Sequence, residues 1–168
     1  MTIEAKARVY GDAIDTDVII PAKYLTSRDP MFLGSKCMEP IDPEFATRID
    51  RGDVLVGGRN FGCGSSREHA VLALQGAGIS CVVAKSFARI FYRNAINQGL
   101  VVLICPQAVD VAKEGDPIAV DITTGTISVR GETFSTEPFP PFLREIIDIG
   151  GLVPYVKQRM AQRQAAGQ

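Results

Sequence analysis

Continuous apolar runs mark the middle of the chain. Asp53–Val56, Ile79–Ala84 and Leu100–Cys105 are short and almost free of interior polar residues. Runs of this kind suit strands covered on both faces. Between them, Ser66 to Gln75 reads as a helix stopped by Gly76-Ala77-Gly78, and Phe87 to Gln98 as a second helix closed by Gly99. Strand–helix–strand–helix–strand at these lengths predicts a parallel sheet with right-handed crossovers. Residues 1–10 read as a further short strand that turns at Gly11-Asp12. Val18-Ile19-Ile20 is a β-branched, extended-looking run halted by Pro21. Residues 26–43 are loop-like, at a length that calls for a short helix within or a task. Asp42 is placed to cap a short helix with Pro43 in its first turn.

After Pro106 the pattern changes. Ile118–Ile122 and Thr126–Arg130 flank Thr123-Thr124-Gly125 as a β-hairpin. Phe142–Ile149 has the spacing of an amphipathic helix ended by Gly150-Gly151, Leu152–Gln162 reads as another helix, and the tail from Gln164 as frayed. The expected fold is α/β, a parallel central sheet with helices and additional antiparallel strands. All 168 residues are expected in a single domain, 1–168.

Eighteen basic against 19 acidic side chains leave a net charge of −1, which speaks against a nucleic-acid partner. No apolar run approaches the ~18 residues of a membrane span. No signal peptide is visible in MTIEAKARVYGDAIDTD, so no membrane partner and a cytoplasmic location are expected. Cys37, Cys63, Cys81 and Cys105 contain no CxxC pair and have only His69 to join them, so no metal site is expected on this chain.

The chemistry concentrates in Gly58-Arg59-Asn60-Phe61-Gly62-Cys63-Gly64-Ser65-Ser66-Arg67-Glu68-His69, between a strand and a helix. Ligands bind α/β proteins at such places. Glycines permit close backbone approach, a helix start offers unpaired N–H groups, and Arg67 supplies a guanidinium suited to carboxylate or phosphate. This describes an anion site without naming the anion. Plainer readings stand beside it. Ser65-x-x-Glu68 fits a capping box, His69 fits a satisfied or solvated histidine, and Cys63 fits small-residue packing as well as a reactive thiolate. Neither a dinucleotide fingerprint nor a nucleoside-triphosphate loop fits, because Arg67 replaces the third glycine and no Gly-Lys-Ser/Thr follows.

Read with Asp15-Thr16-Asp17-Val18-Ile19-Ile20-Pro21-Ala22-Lys23-Tyr24-Leu25, with Lys85-Ser86-Phe87-Ala88-Arg89-Ile90-Phe91-Tyr92-Arg93-Asn94-Ala95-Ile96-Asn97 and with Gly150-Gly151-Leu152, this segment closely resembles one family. It is that of the isopropylmalate dehydratase and homoaconitase small subunits, the swivelling β/β/α domain of the aconitase superfamily. The resemblance covers nearly the whole chain. It implies a hydro-lyase subunit that isomerises a small hydroxy-diacid by removing and re-adding water, in leucine biosynthesis for the isopropylmalate members. It implies a large-subunit partner, in a heterodimer or heterotetramer, that carries a [4Fe–4S] cluster, with none bound by this chain. By motif match, Ser65 is the catalytic base, its oxyanion stabilised by loop amides and the helix start. Gly64, Ser66 and Arg67 hold a substrate carboxylate, and Asp17 is an acid that orients or handles a proton.

The segment after Tyr24-Leu25 senses the substrate's variable arm in this family. Thr26 stands where the homoaconitase-like pattern has an Arg, and Arg28 lies two residues on. A missing cation favours an apolar arm such as isopropyl, since an unpaired carboxylate is costly to desolvate. Homoaconitase and 2,3-dimethylmalate dehydratase subunits are the alternatives within the family. A phosphate- or nucleotide-binding module and a Cys63 redox protein are those outside it. Arg89 and Arg93, four apart on the second helix, suit a partner surface, an acidic neighbour or a solvated basic face.

Overall fold

The N-terminal strand β1 (Thr2–Val9) works in two directions. Its first half pairs antiparallel with β5 (Pro117–Asp121), placing Ile3 opposite Val120. Its second half pairs parallel with β2 (Val54–Gly57), placing Ala7 opposite Val54. The computed structural model, which describes residues 1–165, joins seven strands in the order β4-β3-β2-β1-β5-β6-β7. The others are β3 (Cys81–Ala84), β4 (Val101–Ile104), β6 (Thr126–Val129) and β7 (Glu132–Ser135). Ala7, Val54, Cys81 and Val101 stand in one row across the parallel half. Every residue of β2 and β3 is buried, as the unbroken apolar runs predict for strands covered on both faces. β5 and β6 instead alternate, with Ile118, Val120, Ile127 and Val129 facing the core.

Among the described residues eight α-helices connect and cover the strands: α1 (Thr16–Ile19), α2 (Pro30–Gly34), α3 (Phe45–Arg48), α4 (Glu68–Ala77), α5 (Arg89–Asn97), α6 (Pro106–Val111), α7 (Pro141–Asp148) and α8 (Leu152–Ala165). α2 is the short helix that the long 26–43 loop required, capped by the Asp29 carboxylate on the Met31 N–H. It lies backbone to backbone on α4. A Cβ on Gly34 would stand 2.2 Å from the Gly76 carbonyl carbon, and one on Gly76 would stand 1.7 Å from Pro30 O, so two glycines set this contact.

Several expectations are corrected. Val18 and Ile19 are helical rather than extended, because the Asp15 carboxylate takes the Asp17 N–H and caps α1. Asp42 does not cap α3, which starts after Glu44; its carboxylate accepts instead from the Tyr10 hydroxyl and from Arg48. α4 starts at Glu68, two residues later than read. The chain also forms α6 and β7, which the hydrophobic pattern does not predict. α8 continues through Gln164 and Ala165, against the frayed tail expected there; the rest of that tail lies outside the described residues. Among the described residues no helix is long and apolar enough to cross a membrane.

Candidate active site

Both chain segments that follow the central parallel strands meet at one edge of the sheet. β1 leads into residues 11–20 and β2 into residues 58–67, each at its strand's C-terminal end. They are laced together. Ala13 N–H donates to Arg59 O at 2.7 Å, Gly62 N–H to Ile14 O at 2.7 Å, and Thr16 N–H to Cys63 O at 2.8 Å. The Asp12 carboxylate takes the Arg59 N–H at 2.6 Å. The Tyr10 hydroxyl, just past β1, donates to Asp42 at 2.6 Å within a polar cluster that also holds Arg48, Glu114, Arg8 and the buried Asp53.

This lacing brings Asp17, Gly64, Ser65, Ser66 and Arg67 together. Arg67 Nη1 donates to the Asp17 carboxylate, and more distantly to Ile20 O at 3.4 Å. Among the described residues its Nε and Nη2 have no partner. Gly64 has φ +88°, and a Cβ there would stand 2.5 Å from an Asp15 carboxylate oxygen, so only glycine lets the loop lie against that acid.

Ser65 and Ser66 are solvent-exposed in the bend before α4. The N-cap residue is Arg67, without a side-chain cap, so the Ser65-x-x-Glu68 capping box does not form. Glu68 pairs with Arg28 instead, at 2.9 Å. The Ser65 hydroxyl is therefore not consumed by capping. Neither is it ringed by amides, for among the described residues no N–H donates to Ser65 Oγ.

Arg28 is thus held at the start of α4 by Glu68, the residue that follows Arg67. Thr26 lies in an exposed turn and makes no side-chain hydrogen bond among the described residues. His69 departs from the satisfied or solvated state expected of it, since its Nε2 is buried with no hydrogen-bond partner among the described residues. Burial and the nearby Asp15 charge push the Cys63 thiol up, the opposite of an activated thiolate. Arg89 and Arg93 line an open groove of about 320 Å³ with Phe87, Tyr92 and Ile104, and form no ion pair among the described residues. The sequence alone gives Asp15 and Thr16 no site role, and gives Glu68 only a capping role that does not form. Only Asp15 carried a local signal, as a carboxylate two residues before an N–H it caps.

The Aconitase C-terminal domain family matches residues 12–108, which include Asp17 and the whole 58–67 segment. The chain is 54% identical over 160 residues to the 3-isopropylmalate dehydratase small subunit of Caldanaerobacter subterraneus subsp. tengcongensis, covering 94% of this chain and 99% of that one. It is 51% identical over 158 residues to the 2,3-dimethylmalate dehydratase small subunit of Eubacterium barkeri, covering 92% and 97%. The crystal structure of 3-isopropylmalate dehydratase from Methanocaldococcus jannaschii superposes with a TM-score of 0.93 at 46% identity, covering 99% of both chains. With its parallel and antiparallel half-sheets sharing one strand, and its serine–arginine loop at their edge, the chain belongs to the 3-isopropylmalate dehydratase small-subunit family of the aconitase superfamily.

Proposed function

We propose that this chain, as a single swivel domain in the cytoplasm, is the small subunit of a 3-isopropylmalate dehydratase. With a large subunit it converts 2-isopropylmalate to 3-isopropylmalate in leucine biosynthesis. The observation that carries the reading is the half-used Arg67 guanidinium. Asp17 engages one nitrogen and leaves the Nε–Nη2 edge, the edge that grips a carboxylate through two parallel N–H bonds. Gly64 and Ser66 lie on the same loop, within one residue of Ser65.

The cluster belongs to the large subunit in this reading. Among the described residues no three His, Cys, Asp or Glu side chains converge to hold a metal. When bound there, the cluster supplies an open iron for the substrate hydroxyl and one carboxylate. This chain does the rest. Arg67 and Ser66 hold a carboxylate, and Ser65 Oγ takes the proton from the carbon beside it as the hydroxyl leaves the neighbouring carbon. Returning proton and hydroxyl to exchanged carbons gives the isomer. Among the described residues no donor reaches the exposed Ser65 Oγ, so the low-dielectric, donor-rich surroundings a base needs come from closure of the large subunit over this edge.

The apolar arm is favoured by Arg28, whose charge is answered by Glu68 and so not free for a third carboxylate. The Eubacterium barkeri relative gives 2,3-dimethylmalate, also with apolar arms, as the second reading. The test is reconstitution with the large subunit and assay on isopropylmalate, dimethylmalate and homoisocitrate. The highest kcat/KM is expected for isopropylmalate; a preference for homoisocitrate overturns the substrate assignment.

A further inference from the structure

We infer that Thr16 is a positioning residue for Ser65, its hydroxyl standing in for a missing rung of the ladder that joins the two site segments. The inference rests on Ser65 being the base. The segments run side by side like parallel strands: Gly62 N–H reaches Ile14 O, and Thr16 N–H reaches Cys63 O. In a parallel ladder the next donor on the same segment is two residues on, so Val18 N–H would reach Ser65 O. It cannot, because the chain has turned into α1 and Val18 N–H is spent on Asp15 O at 3.0 Å. Asp17 N–H is likewise spent on the Asp15 carboxylate at 2.6 Å. The Thr16 side chain fills the gap. Its hydroxyl donates to Ser65 O at 2.9 Å, from a residue only 1% exposed.

Among the described residues this is the one hydrogen bond made to Ser65. Residue 65 otherwise sits in an exposed bend, after a glycine of positive φ and before a helix whose first turn does not reach it. Thr16 also immediately precedes Asp17, which holds Arg67. One buried side chain therefore ties the base to the acid that orients the carboxylate clamp. Catalysis is sensitive to this kind of registration, since a ~1 Å misplacement costs about 10²-fold in rate.

The test uses Thr16→Val, Thr16→Ser and Ser65→Ala, each assembled with the large subunit and measured per assembled complex. Thr16→Val is expected to lower kcat between about 10- and 100-fold with KM within about threefold, and Thr16→Ser to restore most of the rate. Thr16→Ala, which removes the hydroxyl without adding bulk, gives the same reading should the valine variant not assemble. Wild-type kcat in Thr16→Val or Thr16→Ala, with Ser65→Ala inactive, overturns the positioning role alone. So does a Thr16→Ser enzyme as slow as the valine variant. Full activity in Ser65→Ala overturns the base assignment and this inference with it.

Discussion

Arg67 gives Nη1 to the Asp17 carboxylate and keeps its Nε–Nη2 edge without partners among the described residues, so the acid aims the guanidinium without filling it. The Asp17 side chain is 55% exposed, and pairs of that kind contribute only about 0.2–1 kcal/mol to stability. Asp17→Asn is therefore expected to leave thermal stability nearly unchanged. It should raise KM for the diacid up to about tenfold, with kcat within about threefold, as expected when a preorganised clamp loosens. Steady-state kinetics of the reconstituted enzyme decide this. A loss confined to kcat would assign Asp17 to proton handling instead.

Glu68 holds Arg28 through an exposed ion pair at the start of α4. Removing its charge frees a cation beside the proposed carboxylate clamp of Arg67 and Ser66. Glu68→Gln is expected to raise the kcat/KM ratio of homoisocitrate to isopropylmalate severalfold, and adding Arg28→Ala to cancel the gain. An unchanged ratio in Glu68→Gln would show that Arg28 never faces the substrate arm.

The polar cluster behind the site predicts an acid limb in stability. Burial works to raise the Asp42 carboxyl, but hydrogen bonds from Arg48 and Tyr10 outweigh it and hold the group below the usual carboxylate range. Because the folded value lies below the unfolded one, the stabilisation is fully present above the unfolded value, about pH 3.9 for Asp. It is lost as pH falls through the folded value. Urea midpoints between pH 2.5 and 6 should therefore drop less steeply below about pH 4 in Asp42→Asn than in the parent chain. Parallel curves would show that Asp42 carries none of the acid limb.

The parallel half of the fold was readable because its signals are local. Apolar runs such as Cys81–Ala84 and stops such as Gly78 and Gly99 mark element after element. The misses share a cause. β7 buries none of its residues fully and exists through pairing with β6, so no alternation betrays it. α6 is six residues beginning directly after Cys105, too short for a helical period to show. In α1 a single carboxylate cap overrode the β preference of Val18 and Ile19. At the site, the serine–arginine loop was visible as a motif. The Glu68–Arg28 pair and the Thr16–Ser65 bond join residues 40 and 49 positions apart and arise only when the chain folds.

The base assignment is tested most directly by Ser65→Ala assembled with the large subunit and assayed for interconversion of 2- and 3-isopropylmalate. Loss of a general base predicts a fall in kcat of about 10²–10⁴-fold, with the complex eluting at its normal size. An assembled Ser65→Ala enzyme that turns over at the parent rate would contradict the account.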